Sequence, residues 1–254
     1  MALLQLSRRI EASPTLLWHA LSTAEGLSTW HADKVSGSLG ERRFQLGWPS
    51  LGASMELQVE RVDPHRQLVL RAGGTLVALS LDGDHVRLVH EGLDDGDDLD
   101  GFRSSWALAL SLLEHAVTRH PSRSRDVHWF FQRAETTPEL VHFYFSTALG
   151  LRSWLGETRA DVSGVGERVS LELPEGQRLS GRVLSHEPGR DLALSWDELD
   201  GAALVLRTLP AAGGQRSLAV SLSTYGKKAD PAALLALEQG LTRLAERLRS
   251  RGRG

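Results

Sequence analysis

The phrase STAEGLSTW at residues 22–30 returns as STALGLRSW at residues 146–154, 124 residues later, and this repetition limits the folds open to the chain. Laying residues 3–30 over 127–154 without a gap gives ten identities, among them Arg9 with Arg133, Pro14 with Pro138, Gly26 with Gly150 and Trp30 with Trp154. Chance would give roughly two, so the chain reads as one domain-sized module copied in tandem and not as a solenoid of short units. The same step aligns VDPHRQL (62–68) with HEPGRDL (186–192). At 254 residues each copy has room for its own core.

Local patterning fills in each copy. Ser13 and Thr137 are good N-caps, and Pro14 and Pro138 stand at the first helical position, where a missing N–H is harmless. Leu16, Leu17, Ala20, Leu21 and Ala24 then recur at helical spacing, as do Leu140, Val141, Tyr144, Phe145 and Ala148. Gly26 and Gly150 sit where a left-handed helix stop is expected. MELQVERV (55–62), HVRLVHE (85–91), RVSLELP (168–174), LALSW (192–196) and SLAVSLS (217–223) alternate with period two and predict antiparallel strands with one covered and one wet face. A long helix closes each copy, with Phe102, Trp106, Ala109, Leu110, Leu113 and Val117 on one stripe of the first. Leu234, Leu237, Leu241, Leu244 and Leu248 form the stripe of the second. The polar stretch TRHPSRSRD (118–126) reads as a linker, placing the domains at 1–120 and 126–254.

Several function classes lose support at once. A net charge of −3 with scattered arginines offers no field for nucleic acid. The absence of cysteine excludes disulfides, thiol nucleophiles and thiolate metal sites. No apolar run approaches the roughly 20 residues that span a bilayer, and MALLQLSRRI is too short for a secretory signal, so a cytoplasmic location with no membrane partner is expected. No two histidines have the spacing of a zinc protease, and DDGDDLDG (94–101) lacks the alternating ligands of a calcium loop. Neither a phosphate-binding loop nor a nucleophile elbow is present, so no catalytic residue, metal or cofactor is assigned.

The stretches IEASPTLLWHALSTAEGLSTWHAD (10–33), GERRFQLGW (40–48) and VHEGLDDGDDLDGFRSSWALALSLLEH (89–115) resemble the START-like helix-grip superfamily, also called SRPBCC. Among its members they are most similar to bacterial homologues of the heat-shock protein ATPase activator. The second copy keeps TTPELVHFYFSTALGLRSW but ends in SLSTYGKKADPAALLALEQGL, with neither the His-Glu-Gly phrase nor the helix Trp. The resemblance implies an α+β fold of two tandem domains, each a curved antiparallel sheet around a long C-terminal helix, paired as an intramolecular pseudo-dimer. It also implies a cavity between sheet and helix for a small hydrophobic molecule, expected at least in the first domain.

Candidate cavity residues follow. Trp30 and Trp154, at equivalent positions, read first as core contacts; Trp48 and Trp196 read as either core fillers or flat cavity walls. His90 continues the face of Val86 and Leu88, where it would orient a ligand or simply bond a neighbouring backbone. Phe102, Arg103 and Trp106 on the following helix are its expected neighbours. The leading reading is a ligand-binding protein of unspecified ligand. The alternatives are a polyketide-cyclase-like enzyme using His90, and a partner-binding module like the ATPase activator.

Overall fold

A computed structural model describes residues 2–94, 96–174 and 176–251. The chain divides into two compact units, Met1–Arg125 and Asp126–Gly254. The first unit runs β1 (Ala2–Arg9), α1 (Pro14–Ser22), α2 (Ala24–Ser28), β2 (Lys34–Ser38), β3 (Arg43–Trp48), β4 (Ala53–Asp63), β5 (Gln67–Ala72), β6 (Thr75–Asp82), β7 (His85–Leu93) and α3 (Leu99–Arg119). The second runs β8 (Arg125–Ala134), α4 (Pro138–Ser146), α5 (Ala148–Arg152), β9 (Arg168–Glu172), β10 (Arg178–Glu187), β11 (Asp191–Trp196), β12 (Ala202–Pro210), β13 (Arg216–Tyr225) and α6 (Pro231–Arg251). The sheets have matching orders, β1-β7-β6-β5-β4-β3-β2 and β8-β13-β12-β11-β10-β9. The fold class is α+β, with two similar units.

The repeated phrase encodes a tight pair of short helices. Ser13 Oγ accepts from the Leu16 N–H at 3.2 Å and Thr137 Oγ1 from Leu140 at 3.3 Å, which starts α1 and α4. Thr23 and Thr147 adopt extended backbone and end those helices. Each also caps the next, its hydroxyl oxygen accepting from Gly26 N–H at 2.9 Å or Gly150 N–H at 3.0 Å. The same hydroxyls donate backwards to the His19 and Phe143 carbonyls. The tryptophan that ends the phrase donates its indole N–H into the first helix, Trp30 to the Ala20 carbonyl at 3.0 Å and Trp154 to that of Tyr144 at 2.9 Å. Both indoles are thereby buried with their polar atom satisfied.

The glycines of the phrase act differently from the sequence expectation. Gly26 and Gly150 lie inside α2 and α5, and neither has positive φ. A Cβ at Gly26 would stand 2.2 Å from the His19 carbonyl oxygen, and at Gly150 2.2 Å from that of Phe143. They are required by the close crossing of two helices, not by a left-handed stop.

Two further differences concern the sheets. Counting 124 residues on from β2 lands on 158–162, which form no strand; Glu157 alone pairs with Glu172, by hydrogen bonds of 2.8 and 2.7 Å. In β11 every residue is buried, and in β13 every residue from Leu218 to Tyr225, so the expected wet face is missing in both; in β11 that face carries Asp191, Ala193 and Ser195. In the second unit, Leu237, Leu241, Leu244 and Leu248 of α6 share one core with Leu171, Leu179, Leu194, Trp196, Leu204 and Leu222 of the sheet.

Candidate functional site

In the first unit the sequence candidates gather around a residue that sequence reasoning missed, His31. Strand β7 presents His90, and helix α3 presents Phe102 and Trp106 one turn apart. The Trp106 indole N–H donates to Nδ1 of His90 at 3.1 Å, and the Phe102 ring stands edge-on to His90 at 5.3 Å. Trp106 also stacks on His31, with ring centres 5.3 Å apart and planes at 11°. Trp30 lies 5.0 Å from His31 with its plane tilted by 35°, and Trp48 meets it edge-on at 5.9 Å while donating to its carbonyl at 3.3 Å. Arg103, one residue beyond Phe102, is turned to the surface and exposed, because a 100° step along a helix leaves the apolar stripe. It does not join the cluster as expected.

The electrostatics of this cluster keep both imidazoles neutral. Burial pushes His31 down to about pKa 4, aided by the positive charge of Arg125. Arg125 itself donates to the Ala32 carbonyl at 2.8 Å and lies 3.8 Å from the Asp33 carboxylate. Burial also lowers the pKa of His90, opposed by the charge of Asp97. An indole can only donate, so Nδ1 of His90 must hold a lone pair and the proton of the neutral ring sits on Nε2. His90 is 5% exposed, and its Nε2 is buried without a hydrogen-bond partner among the described residues. This tautomer offers an N–H donor and no basic lone pair on its free side, an arrangement ill-suited to proton abstraction.

The second unit contains a cavity of about 560 Å³, in the size range of small-molecule sites. Its wall is the inward face of the sheet, with Leu171, Leu179, Trp196, Leu204 and Leu222, closed by Leu237 of α6. These strand residues share a face because the ladder pairs Leu171 with Leu179, Leu204 with both Leu194 and Leu222, and Trp196 with Gly181. Trp154 and Ala236 also line it. Charged residues line it too: Arg152 pairs with Glu157 at 3.5 Å, and Glu172 with Arg178, which lies outside the lining, at 3.1 Å. Arg243 of α6 donates to the Trp154 carbonyl at 3.1 Å. That approach depends on Gly240, where a Cβ would stand 2.7 Å from the same carbonyl oxygen.

The candidates therefore fall into two groups. Trp30, Trp48 and Trp106 contact His31 in the first unit, with His90 and Phe102 joined to them through Trp106, whereas Trp154 and Trp196 line the cavity of the second. Sequence signals for the missed residues existed but were faint. His31 directly follows the repeated phrase, and Arg243 lies three residues after a glycine in an otherwise leucine-rich helix. Among the described residues there is no group of three side chains suited to a metal ion, and no helix is long and apolar enough to cross a membrane.

No family model and no curated protein matches the chain. Solved structures similar to it include the Aha1 dimer from Colwellia psychrerythraea, 22% identical over 46% of this chain and 96% of that one, with a TM-score of 0.40. They also include DynU16, a protein of the dynemicin biosynthetic locus, 17% identical over 97% of this chain and 99% of that one, with a TM-score of 0.43. The chain is thus similar over about half its length to the first and end to end to the second.

Proposed function

We propose that the chain is a non-catalytic START-like protein that binds a small hydrophobic molecule, held in the second unit between α6 and the sheet in a helix-grip arrangement. The observation that carries this reading is the cavity of about 560 Å³ walled by Leu171, Leu179, Trp196, Leu204 and Leu222. A void of this size among leucines forfeits contact energy unless an apolar guest fills it. The first unit, where the family pattern is fuller, contributes the aromatic cluster around His31; the tautomer of His90 speaks against the alternative of acid–base chemistry.

The test is a screen of apolar molecules by thermal shift and native mass spectrometry, on the wild type and on Ala236→Trp. Ala236 is exposed on α6 and lines the cavity, so an indole there obstructs it without entering the core. A bound molecule at 100 times its Kd stabilises the fold by about 2.7 kcal/mol, and the variant loses that gain. Failure of every compound to shift the wild type, or equal shifts in both proteins, would count against the proposal.

A further inference from the structure

We infer that the guest of the second-unit cavity is an anionic amphiphile, an apolar body ending in a carboxylate that Arg243 receives at the rim; this rests on the ligand-binding reading above. Five charged side chains bear on the argument. Glu157 is engaged by Arg152 at 3.5 Å and Glu172 by Arg178 at 3.1 Å. Arg243 makes no ion pair among the described residues, and the one bond it does make, from Nη2 to the Trp154 carbonyl, fixes it beside a tryptophan of the cavity wall. Of the charged residues that line the cavity, Arg152, Glu157, Glu172 and Arg243, Arg243 alone has no carboxylate or guanidinium partner among the described residues.

The placement is built into the helix. Leu237, Leu241 and Leu244 turn inward, and Gly240 lets α6 come close enough to the Trp154 backbone for Arg243, one turn on, to reach it. A guanidinium with one nitrogen spent on a carbonyl keeps N–H groups for a second acceptor. Its planar fork matches a carboxylate, and ionised partners make the stronger hydrogen bonds. An apolar wall beneath a rim cation fits a molecule that is greasy along its length and negative at one end. A neutral head would gain less, and a cationic head would be repelled.

Isothermal titration with dodecanoate, dodecanol and dodecyltrimethylammonium, each below its micelle concentration, tests this on the wild type, Arg243→Gln and Ala236→Trp. The wild type is expected to bind dodecanoate about tenfold more tightly than dodecanol and the ammonium most weakly. Arg243→Gln should bring dodecanoate down to the level of dodecanol while leaving dodecanol unchanged, and 0.5 M salt should erode the preference because the rim faces water. Equal affinity of the wild type for dodecanoate and dodecanol, both abolished by Ala236→Trp, overturns the head-group inference and leaves the cavity reading standing. Equal loss of both ligands in Arg243→Gln also overturns it, since the arginine would then act through Trp154 alone. Binding of none of the three by the wild type overturns the inference together with the proposed function.

Discussion

A histidine enclosed by three indoles holds a proton less readily than one in water, because a positive charge there loses its hydration. His31 is in that position, with a pKa near 4 against 6.5 when free. Between those values the unfolded chain binds the proton and the folded chain does not, so the contribution of His31 is complete above pH 6.5 and drains away as pH falls toward 4. Through this residue, acidification from pH 7.5 to 5 should cost up to about 2 kcal/mol. His90 and His142, whose pKa values burial also lowers, act with the same sign. Urea unfolding at the two pH values should show the pH dependence of His31→Phe reduced by that amount; an unchanged dependence would refute the assignment. His90 permits a separate check. Trp106→Phe removes the donor that occupies Nδ1, so the imidazole is expected to titrate at higher pH, and the ring proton shifts in an NMR titration report it directly. Neither histidine's state is readable from sequence, since it depends on rings delivered by the turn after α2 and by β3, β7 and α3, from four separate stretches of chain.

At the scale of elements, what the sequence made legible is what local physics decides. The capping hydroxyls and the prolines at helix starts are governed by hydrogen bonds within a few residues and fall where expected, and so do the strands as elements, but the wet faces expected of β11 and β13 are buried. Gly26 and Gly150 were legible as special but not for their reason, because a crossing of helices leaves no mark on the composition of either one. The cavity was illegible for a related cause. Leu171, Leu204 and Leu222 read as ordinary inward-facing strand residues, and a void is a difference between the volume a sheet and helix enclose and the volume their side chains fill. The glycine account makes a sharp prediction. Gly26→Ala and Gly150→Ala should each destabilise by about 2–3 kcal/mol, since backbone and not a flexible side chain occupies the space of the new methyl. Gly74→Ala, with nothing within 4 Å and no positive φ, should change stability by less than about 1 kcal/mol. Denaturant midpoints of the three variants decide it.

Duplication gives a molecule two copies of every part and frees one copy to change. The first unit carries the fuller sequence resemblance and gathers His31, His90, Phe102 and three tryptophans beside α3. The second keeps the helix pair and the sheet order but lacks the counterparts of β2 and of Trp106, and there the described cavity lies between α6 and the sheet. Sequence resemblance directs attention to the first half, whereas the cavity lined by Trp154 and Trp196 lies in the second. Hydrogen exchange with and without saturating dodecanoate separates the two expectations. A ligand that binds only the native second unit raises the free energy of its opening by RT ln(1 + [L]/Kd), so amides of β9 to β13 and α6 should exchange more slowly, by about a hundredfold at 100 times Kd. Slowing concentrated instead in β7 and α3 would place the guest against His90, whose buried Nε2 has no partner among the described residues, and would move the proposed binding site to the first unit.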